Sequence, residues 1–371
     1  MSIAFVLGTR PELIKTAPVM HELARRGEPF EIVHTGQHYT SSLDGTFFRE
    51  LDLPPPRINL RIGSLPPAHQ VAAMLAGLAD TFTAAKPDAI VVQGDTNSVL
   101  AGALAAHKLG IPVAHLEAGL RSDDWTMPEE GNRVLAGRLA AVHFCPTVLQ
   151  RERLRAEGIV RGVYVVGNTV VDACLALAQR ATVSSTVRST VDIEKEPFAL
   201  VTLHRASNVD TAPRLEQLLD ALVSFSRSLA LKLVFPVHPR TRDKIRAFHL
   251  ESQLARPEFR ILEPVGYRDM LALMRHATLV LTDSGGAQEE ACILHVPCVT
   301  LRPNTERPET VTVGANVLCE STDPAQLLEA ARSVMARPRH WPNPFGDGRT
   351  SARVVDVLTG TNTRWQPSGH A

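Results

Sequence analysis

The sequence predicts an α/β protein made of two doubly wound, Rossmann-like domains that face each other across a cleft. Short runs of β-branched residues alternate with segments of helical period, which is the pattern of right-handed βαβ units around a parallel sheet. The alternation stops in the polar stretch 182–196 and then begins again. A chain of 371 residues is also long enough for two domains with a core each.

The first domain is predicted to span residues 1–170. The intervening segments 68–85 and 96–108 have helical periodicity. In a doubly wound domain, ligands bind outside the carboxyl ends of the strands, so polar residues that follow the strands are the candidates for chemistry. The strands are predicted at the apolar runs 3–7, 31–35, 89–93, 112–116 and 142–144.

The second domain is predicted to span residues 171–355. Its strands are predicted at the apolar runs 198–202, 232–236, 277–281 and 297–301. The remaining residues, 356–371, are predicted to form a C-terminal tail that packs back on the first domain and frays at its polar end.

Charge and hydropathy narrow the class of partner. The net charge is zero and the isoelectric point is about 7.3, so no basic stripe indicates nucleic-acid binding. No apolar run is long enough to span a bilayer, and the N-terminal residues do not have the pattern of a signal peptide. We therefore expect a cytoplasmic protein that binds neither nucleic acid nor membrane.

The cysteine pattern indicates reduced thiols rather than a metal site. The cysteines are odd in number, scattered and never spaced C-x-x-C, which argues against a disulfide framework and against zinc. No metal is therefore expected. The five residues are Cys145, Cys174, Cys292, Cys298 and Cys319.

The segment 282–290 has the pattern of a phosphate cradle. Ser284, Gly285 and Gly286 follow an apolar run and precede a helical segment, so backbone N–H groups and the helix dipole would face an anion such as a pyrophosphate. Glu290, one turn into the helix, can accept hydrogen bonds from ribose hydroxyls. An ordinary tight turn between strand and helix is the alternative.

A second candidate anion site follows the first predicted strand. Arg10 lies at the end of that strand and Lys15 in the first turn of the next helix, so both cations can reach one crevice. Pro11 suits the first helical position. Ordinary surface cations are the alternative, and no G-x-G-x-x-G fingerprint is present.

Acidic residues and a histidine follow several other predicted strands. Asp95 and Glu117 each follow a strand, Glu129 begins a helix, and His204 follows a strand of the second domain. Together they provide groups for proton removal and delivery without a metal. Asp95 could instead be a helix cap, and Glu129 or Glu130 could complement a helix dipole. Glu117 has no such alternative role.

The positions of two other polar residues indicate a functional role less specifically. His238 follows the strand 232–236 and precedes a helix in the second domain. Arg307 lies in a polar turn after a strand, where a surface cation and a cleft cation are equally consistent with the spacing.

The motifs, taken in order, resemble those of the non-hydrolysing UDP-N-acetylglucosamine 2-epimerases of bacteria. They cover nearly the whole chain, and several are long. The resemblance implies a two-domain fold like that of GT-B glycosyltransferases, a homodimer, and no added cofactor. The matching segments are 8–12, 35–38, 94–96, 117–121, 128–130, 132–133, 204–205, 282–290 and 306–309.

The resemblance also implies a reaction. It would be C2 epimerisation of UDP-N-acetylglucosamine to UDP-N-acetylmannosamine, through elimination of UDP, a 2-acetamidoglucal intermediate and re-addition. By motif match, Asp95, Glu117 and Glu129 would be the acid/base carboxylates, in an order left open, and His204 would contact substrate with a proton or diphosphate role. The substrate contacts would be Arg10, Lys15, Arg133, Arg205, His238, Met270, Ser284, Gly285, Gly286, Glu290 and Arg307.

Three related interpretations of the sequence stay open. A sister group epimerises UDP-2,3-diacetamido-glucuronate, whose extra carboxylate would need an unpaired cation such as Arg121, Arg133 or Arg205. A hydrolysing 2-epimerase would release free sugar and UDP. A GT-B glycosyltransferase would share the nucleotide seat, but it would need an acceptor site and at most one base.

The resemblance also suggests a regulatory site. Some bacterial members bind a second UDP-N-acetylglucosamine beside the active site, and the matching residues here are only partly present. Gln37 and His238 remain, whereas Tyr39 and Thr40 replace an arginine and a glutamine. The sequence therefore predicts that this activation is weak or absent.

Overall fold

The chain folds into two compact units. The computed structural model describes residues 1–37, 48–184, 187–190, 193 and 196–360, with the backbone alone at 180–184, 188 and 190. The first unit is formed by Met1–Ala173 and a segment that begins at Phe345, and the second by Cys174–Pro344. Each unit contains one parallel sheet with helices between its strands, which confirms the predicted α/β fold with two doubly wound domains.

The first unit is built on a seven-stranded parallel sheet in the order β3-β2-β1-β4-β5-β6-β7. Its strands are β1 Ile3–Leu7, β2 Phe30–His34, β3 Ile58–Asn59, β4 Ala89–Gln93, β5 Val113–Leu116, β6 Val142–Cys145 and β7 Val163–Val165. The helices that connect them are α1 Arg10–Arg26, α2 Pro67–Ala84, α3 Asn97–Lys108, α4 Pro128–Leu139, α5 Val148–Ala156 and α6 Thr169–Ser184, of which α6 crosses into the second unit.

The central strands of this sheet are apolar runs because both of their faces are covered. Every residue of β1, β4 and β5 is buried, as expected for a parallel sheet between two helical layers. On one face the core brings together β1, β4 and β5 with α2 and α3. The buried face of α3 consists largely of alanine, and small residues there let neighbouring helices approach closely.

The second unit is built on a six-stranded parallel sheet in the order β10-β9-β8-β11-β12-β13. Its strands are β8 Phe198–Thr202, β9 Lys232–Pro236, β10 Phe259–Leu262, β11 Leu279–Thr282, β12 Cys298–Thr300 and β13 Asn316–Leu318. Its helices are α7 Val187–Thr190, α8 Ala206–Val209, α9 Ala212–Leu229, α10 Pro239–Ala247, α11 Glu251–Leu254, α12 Tyr267–His276, α13 Gly285–Ile293, α14 Pro308–Thr312 and α15 Pro324–Met335.

Each sheet has one point where the strand order reverses. In the first unit this point lies between β1 and β4, and in the second it lies between β8 and β11. Helices that leave neighbouring strands on opposite sides of such a point open a crevice outside the carboxyl ends of the strands, where ligands bind in doubly wound sheets. The candidate residues that follow these strands therefore lie at the two reversal points.

The C-terminal helix belongs to the first unit. Helix α16, Thr350–Thr359, packs on α1, and the Arg26 guanidinium lies 2.6 Å from the Asp356 carboxylate. The start of α16 is held by Asp172 of α6, which accepts the N–H groups of Thr350 and Ser351 at 3.2 and 2.8 Å. The chain thus returns to the first unit at Phe345, whereas the tail was predicted from residue 356. Residues 361–371 lie outside the described part.

The cysteines are buried free thiols. Burial raises the pKa of Cys145, Cys292 and Cys298 to about 12, so these thiols are protonated at neutral pH. Over the described ranges, no cluster of three or more His, Cys, Asp or Glu side chains could hold a metal ion. In the same ranges, none of the helices has the length and apolar character required to cross a membrane.

Candidate active site

Glu117 lies directly after β5 in an unusual backbone conformation. Its φ of 61° is in the left-handed region, which a non-glycine residue adopts only when its surroundings hold it there. The side chain is 4% exposed, and Lys15 Nζ lies 2.7 Å from its Oε1 atom. Asn168 Nδ2 donates to the same oxygen at 2.8 Å, and the Gln93 amide donates to Oε2. These donors stabilise an ionised carboxylate in a buried position.

Asp95 lies after the neighbouring strand β4 and is partly open to solvent. Its side chain is 31% exposed, and its Oδ2 atom is 2.5 Å from Nη2 of Arg133. Helix α3 is capped by Thr96, whose hydroxyl accepts the N–H of Val99 at 3.4 Å. The capping role that the spacing allowed for Asp95 is therefore filled by its neighbour, and Asp95 pairs with a cation instead.

Of the two acids that begin α4, Glu130 points inward and Glu129 is exposed. Glu130 accepts the N–H of Ser122 at 3.0 Å and lies 2.6 Å from the Arg133 guanidinium. Burial alone would raise the pKa of Glu130, but the bonds from Ser122 and Arg133 outweigh it and hold the pKa below its ordinary value. Arg133 thus bridges Asp95 and Glu130, while Glu129 stays on the surface of this unit.

A buried carboxylate, Glu12, ties together the turns that follow β1 and β4. It accepts the N–H of Gly8 at 2.9 Å and the hydroxyl groups of Thr9 and Thr96 at 2.8 and 2.7 Å. Burial raises the pKa of Glu12 to about 7. This role is hard to predict from sequence, because an acid in the first turn of a helix usually only complements the helix dipole.

The β1 turn also places the predicted cations. Arg10 is the first residue of α1 and is half-buried, while Lys15 faces the Glu117 carboxylate. Gly8 is required here because a Cβ atom would lie 2.1 Å from the hydroxyl of Thr35 and 2.2 Å from that of Ser98. The strand end therefore packs too tightly for a side chain at Gly8.

In the second unit, His204 and Asp283 form a hydrogen-bonded pair at the β8/β11 reversal point. Nδ1 of His204 lies 3.0 Å from Oδ1 of Asp283, which is fully buried. Asp283 also accepts the backbone N–H groups of His204 and Arg205 at 3.1 and 3.0 Å. Burial would raise the pKa of Asp283, but the bonds from His204 and Arg205 outweigh it and hold the pKa below its ordinary value.

His238 lies beside this pair. Its ring centroid is 5.3 Å from that of His204, and its Nδ1 atom accepts the N–H of Arg240 at 3.2 Å as the cap of α10. Partial burial and the adjacent His204 ring lower the pKa of His238. His238 thus caps α10 through Nδ1 and is an exposed residue beside His204.

The predicted phosphate cradle has the expected strand-turn-helix geometry. Ser284 caps α13 and accepts the N–H of Ala287 at 3.4 Å. A Cβ atom at Gly285 would lie 2.7 Å from Oε1 of Glu306, so a side chain at this position would require the Glu306 carboxylate to move. At Gly286 the nearest atom would be the Ser284 hydroxyl at 4.0 Å, which leaves the backbone open to an incoming group.

Buried arginines and glutamates surround the start of α13. Glu306 lies 2.9 Å from Nη1 of Arg302 and 3.3 Å from Nη2 of Arg205. Burial would raise the pKa of Glu306, but the charges of Arg307, Arg302 and Arg205 outweigh it and bring the pKa to about 2. Arg307 Nε lies 2.8 Å from Oε1 of Glu289, so Arg307 is a buried, paired cation rather than a surface residue.

The remaining predicted contacts are half-buried. Glu290 follows Glu289 on α13, and its carboxylate together with burial raises the pKa of Tyr267 well above the ordinary value. Met270 lies on α12 and packs against the core on the α12/α13 face of the sheet. Both residues therefore have part of their side chain available at the surface of the second unit.

The structure groups the predicted residues by unit. In the first unit it brings Lys15 to Glu117 and Arg133 to Asp95. In the second unit, His204, His238 and the cradle follow three neighbouring strands at the carboxyl edge of the sheet. Sequence reasoning missed several residues that hold these groups, namely Glu12, Gln93, Asn168, Asp283 and Glu306. Asp283 was the easiest of these to predict from the sequence, because it lies within the segment 282–290 that was already singled out.

Chemically, the first unit offers two carboxylates at adjacent strand ends, each paired with a cation. The second unit offers a histidine oriented by a buried aspartate, and a helix start with open backbone next to glycines. The groups of the first unit can transfer protons, and those of the second can bind an anionic group.

Comparison with known proteins identifies the family. The sequence model of the UDP-N-acetylglucosamine 2-epimerase family matches residues 21–359. The UDP-N-acetylglucosamine 2-epimerase of Methanocaldococcus jannaschii is 46% identical over 364 residues, which are 97% of this chain and 99% of that protein. The UDP-2,3-diacetamido-2,3-dideoxy-D-glucuronate 2-epimerase of Pseudomonas aeruginosa is 39% identical over 363 residues, which are 96% of this chain and 99% of that protein.

A solved structure agrees with the sequence match. The crystal structure of the M. jannaschii UDP-GlcNAc 2-epimerase in complex with UDP-GlcNAc and UDP has a TM-score of 0.89 to this chain at 45% identity. The match covers 97% of this chain and 99% of that one. The resemblance inferred from the motifs is confirmed: this chain belongs to the UDP-N-acetylglucosamine 2-epimerase family, whose members are isomerases.

Proposed function

We propose that this protein interconverts UDP-N-acetylglucosamine and UDP-N-acetylmannosamine without net hydrolysis. The observation that carries the proposal is the pair of carboxylates at adjacent strand ends, Glu117 after β5 and Asp95 after β4, each held by its own cation. A transferase that uses one base has no need of such a pair, whereas inversion at C2 requires a proton to leave one face and arrive at the other.

The proton at C2 of an N-acetylhexosamine is not acidic, so elimination of UDP followed by its re-addition is the accessible route. A base takes the C2 proton while the C1–O bond breaks, and UDP leaves with the electron pair of that bond. The product is a 2-acetamidoglucal with a C1–C2 double bond. Protonation of C2 on the opposite face and attack of the UDP oxygen at C1 then give the epimer.

The residues described above would have different roles in this reaction. Asp95, Glu117 and Glu129 are the proposed acid/base groups, and His204 is the proposed contact to the sugar or the departing diphosphate. The helix start at Ser284, Gly285 and Gly286 would bind the diphosphate, where donors fixed in advance stabilise the charge that develops as UDP leaves. Arg10, Arg307 and Glu290 are the proposed nucleotide contacts around it.

Heavy water distinguishes this route from its rivals. The protein is incubated with UDP-N-acetylglucosamine in deuterium oxide, and the products are followed by NMR. We expect deuterium at C2 of both UDP-linked epimers, because the proton exchanges with solvent while it resides on a carboxylate. Free N-acetylmannosamine as the main product would establish a hydrolysing enzyme, and epimers unlabelled at C2 would contradict the elimination route.

A second candidate substrate is UDP-2,3-diacetamido-glucuronate, on which a relative at 39% identity acts by its name. The extra carboxylate of that sugar would need a cation. The three arginines considered for this role are each paired: Arg121 with Glu157 at 2.8 Å, Arg133 with Asp95, and Arg205 with Glu306. This pairing favours a sugar without a carboxylate, and assays of both substrates side by side test the preference.

A further inference from the structure

The two crossings of the chain between the units are tied together at Asn168. The outward crossing runs through α6, which begins at the next residue, and the return crossing enters the first unit at Phe345. The N–H of Asn168 donates to the carbonyl of Phe345 at 2.7 Å, and its carbonyl accepts the Thr350 hydroxyl at 3.4 Å. Asn168 is 1% exposed. Its backbone is therefore buried in the first unit and held there by hydrogen bonds to the returning segment.

The hydrogen bonds of the Asn168 side chain include a local one and a distant one. Its Oδ1 atom accepts the N–H of Val170 at 3.1 Å in the first turn of α6. Its Nδ2 atom donates to Oε1 of Glu117 at 2.8 Å, across 51 residues of sequence. Capping explains the first bond, but it does not explain why the amide reaches the carboxylate.

Lys15, which shares Oε1 of Glu117 with Asn168, orients the carboxylate less firmly. Lys15 reaches Oε1 at the end of a flexible four-carbon stem, and its side chain is 12% exposed. Asn168 reaches the same oxygen from a backbone held on both sides, while Gln93 holds Oε2. One short, fixed amide at each carboxylate oxygen sets the plane of the carboxylate, and Lys15 supplies the charge.

We propose that Asn168 is a positioning residue for Glu117 and that it makes the alignment of this carboxylate depend on the two chain crossings. The proposal rests on the acid/base role proposed above for Glu117. A carboxylate that exchanges a proton with C2 must point at that carbon, and small misplacements of a reacting group lower the rate steeply.

Two substitutions separate positioning from capping. Asn168→Ser keeps a good helix cap, because a serine hydroxyl can still accept the Val170 N–H, but serine is too short to reach Glu117. Asn168→Asp keeps the shape and the cap, but it places a second carboxylate against Glu117. Like charges disfavour ionisation, so in Asn168→Asp a proton should stay on the pair to higher pH.

The test measures kcat and KM for UDP-N-acetylglucosamine across pH, together with UDP affinity by calorimetry. For Asn168→Ser we expect kcat to fall by about tenfold to a hundredfold, the scale of one misaligned acid/base group, with KM and UDP affinity within about twofold. For Asn168→Asp we expect the acid limb of the kcat profile to move to higher pH. A side chain at position 168 that does not touch Glu117 would leave that limb in place, so the shift reports the contact and the fall of kcat in Asn168→Ser reports positioning.

Asn59→Ser is the matched control. The Asn59 amide oxygen accepts the N–H of Arg61, two residues on, at 3.0 Å, which is the same local bond that Asn168 makes to Val170. Asn59 belongs to the edge strand β3. Its replacement should leave kcat and the pH profile unchanged.

These experiments distinguish failure of the proposed function from failure of the positioning role alone. If the wild-type protein places no deuterium at C2, the proposed function fails and the positioning role fails with it. If the wild type does so, normal kcat in Asn168→Ser overturns the positioning role alone. Should Asn168→Ser not fold by circular dichroism, the near-isosteric Asn168→Asp decides, because an unshifted acid limb in that variant also overturns the proposal.

Discussion

The carboxylate of Asp283 lies 3.0 Å from Nδ1 of His204, and the same carboxylate accepts the backbone N–H of His204. The aspartate therefore holds the ring and the backbone of the histidine together. A carboxylate at Nδ1 keeps the proton on that nitrogen, which leaves Nε2 as the acceptor of the neutral ring. The proposed substrate contact through His204 thus has a defined tautomer.

Replacing Asp283 with asparagine should disturb that tautomer. An amide can still accept the backbone N–H groups with its oxygen, but its NH₂ group would favour a proton on Nε2 rather than on Nδ1. We expect kcat to fall by about tenfold or more, with a smaller change in UDP affinity. Asp210→Asn, at a partly exposed ion pair with Arg240, is the control. Unchanged kcat in Asp283→Asn would show that His204 needs no fixed tautomer.

Glu117→Gln and Asp95→Asn test the proposed acid/base groups directly. Each substitution removes a proton-transferring group and keeps its shape, so kcat should fall by about a hundredfold or more while UDP affinity changes little. Exposed Glu152→Gln serves as a neutral comparison. Near-normal turnover in either variant would remove that residue from the mechanism, and deuterium exchange in the slow variant would show which half-reaction is impaired.

Glu12 should make the stability of the protein depend on pH near neutrality. Burial raises its pKa from 4.5 in the unfolded chain to about 7, so between these values the native state holds a proton that the unfolded state has released. The contribution of Glu12 to stability is then fully present below pH 4.5 and is lost as pH rises to about 7. At about 1.4 kcal/mol for each pH unit, the decrease has an upper value of about 3.5 kcal/mol.

Glu12→Gln should remove this dependence. The amide oxygen can accept the N–H of Gly8, and the NH₂ group can donate to Thr96, as a protonated glutamate would. Denaturant unfolding at acid and at mildly alkaline pH measures the difference between wild type and variant. A pH dependence that is the same in both proteins would show that Glu12 is ionised in the native state at little cost.

The strands that sequence reasoning found and those it missed differ in their place in the sheet. The runs 3–7, 89–93, 198–202 and 232–236 coincide with β1, β4, β8 and β9, which lie inside the sheets. The missed strands are β3, β7, β10 and β13, the edges of the two sheets. An edge strand is paired on one side and partly exposed, so it lacks the continuous buried apolar run by which a central parallel strand is recognised.

The residues of the candidate site also divide into those that the sequence could predict and those that it could not. Glu117 could be predicted because an acid after an apolar strand and before a glycine has few structural reasons to be there. Its partner Asn168 could not, because the hydrogen bond crosses 51 residues and depends on how two chain crossings pack. From its spacing alone, Arg307 was equally consistent with a surface cation and a cleft cation. Only the fold shows that it is buried against Glu289. That a residue follows a strand can be predicted from the neighbouring sequence. Its hydrogen-bond and ion-pair partners depend on the tertiary structure.

Arg10 and Arg307 should differ in the effects of their removal. Either alanine substitution should weaken UDP binding by about 1 to 3 kcal/mol if the residue makes a charged hydrogen bond to the nucleotide. Arg307→Ala also leaves Glu289, 1% exposed, without that guanidinium, so its melting temperature should fall as well. Calorimetry for UDP and thermal unfolding separate the two effects. Unchanged UDP affinity in both variants would place the nucleotide elsewhere.

The last prediction concerns activation by UDP-N-acetylglucosamine at a second site. Of the two residues that match that site, Gln37 is 8% exposed and its Oε1 atom accepts the N–H and the hydroxyl of Ser98 at 3.1 and 2.9 Å. His238 caps α10. Both already serve the fold, while Tyr39 and Thr40 lie outside the described residues.

Each hydrogen bond that is missing between the protein and a sugar nucleotide weakens binding by about 1 kcal/mol, so the absence of two should weaken an effector by more than about tenfold. We therefore expect epimerisation of pure UDP-N-acetylmannosamine to start at full rate, as followed by NMR from the first seconds. The control adds a trace of UDP-N-acetylglucosamine to a parallel reaction. A lag in the pure substrate that disappears with the trace would show a working effector site, and it would mean that Gln37 and His238 bind a ligand in addition to their bonds within the fold.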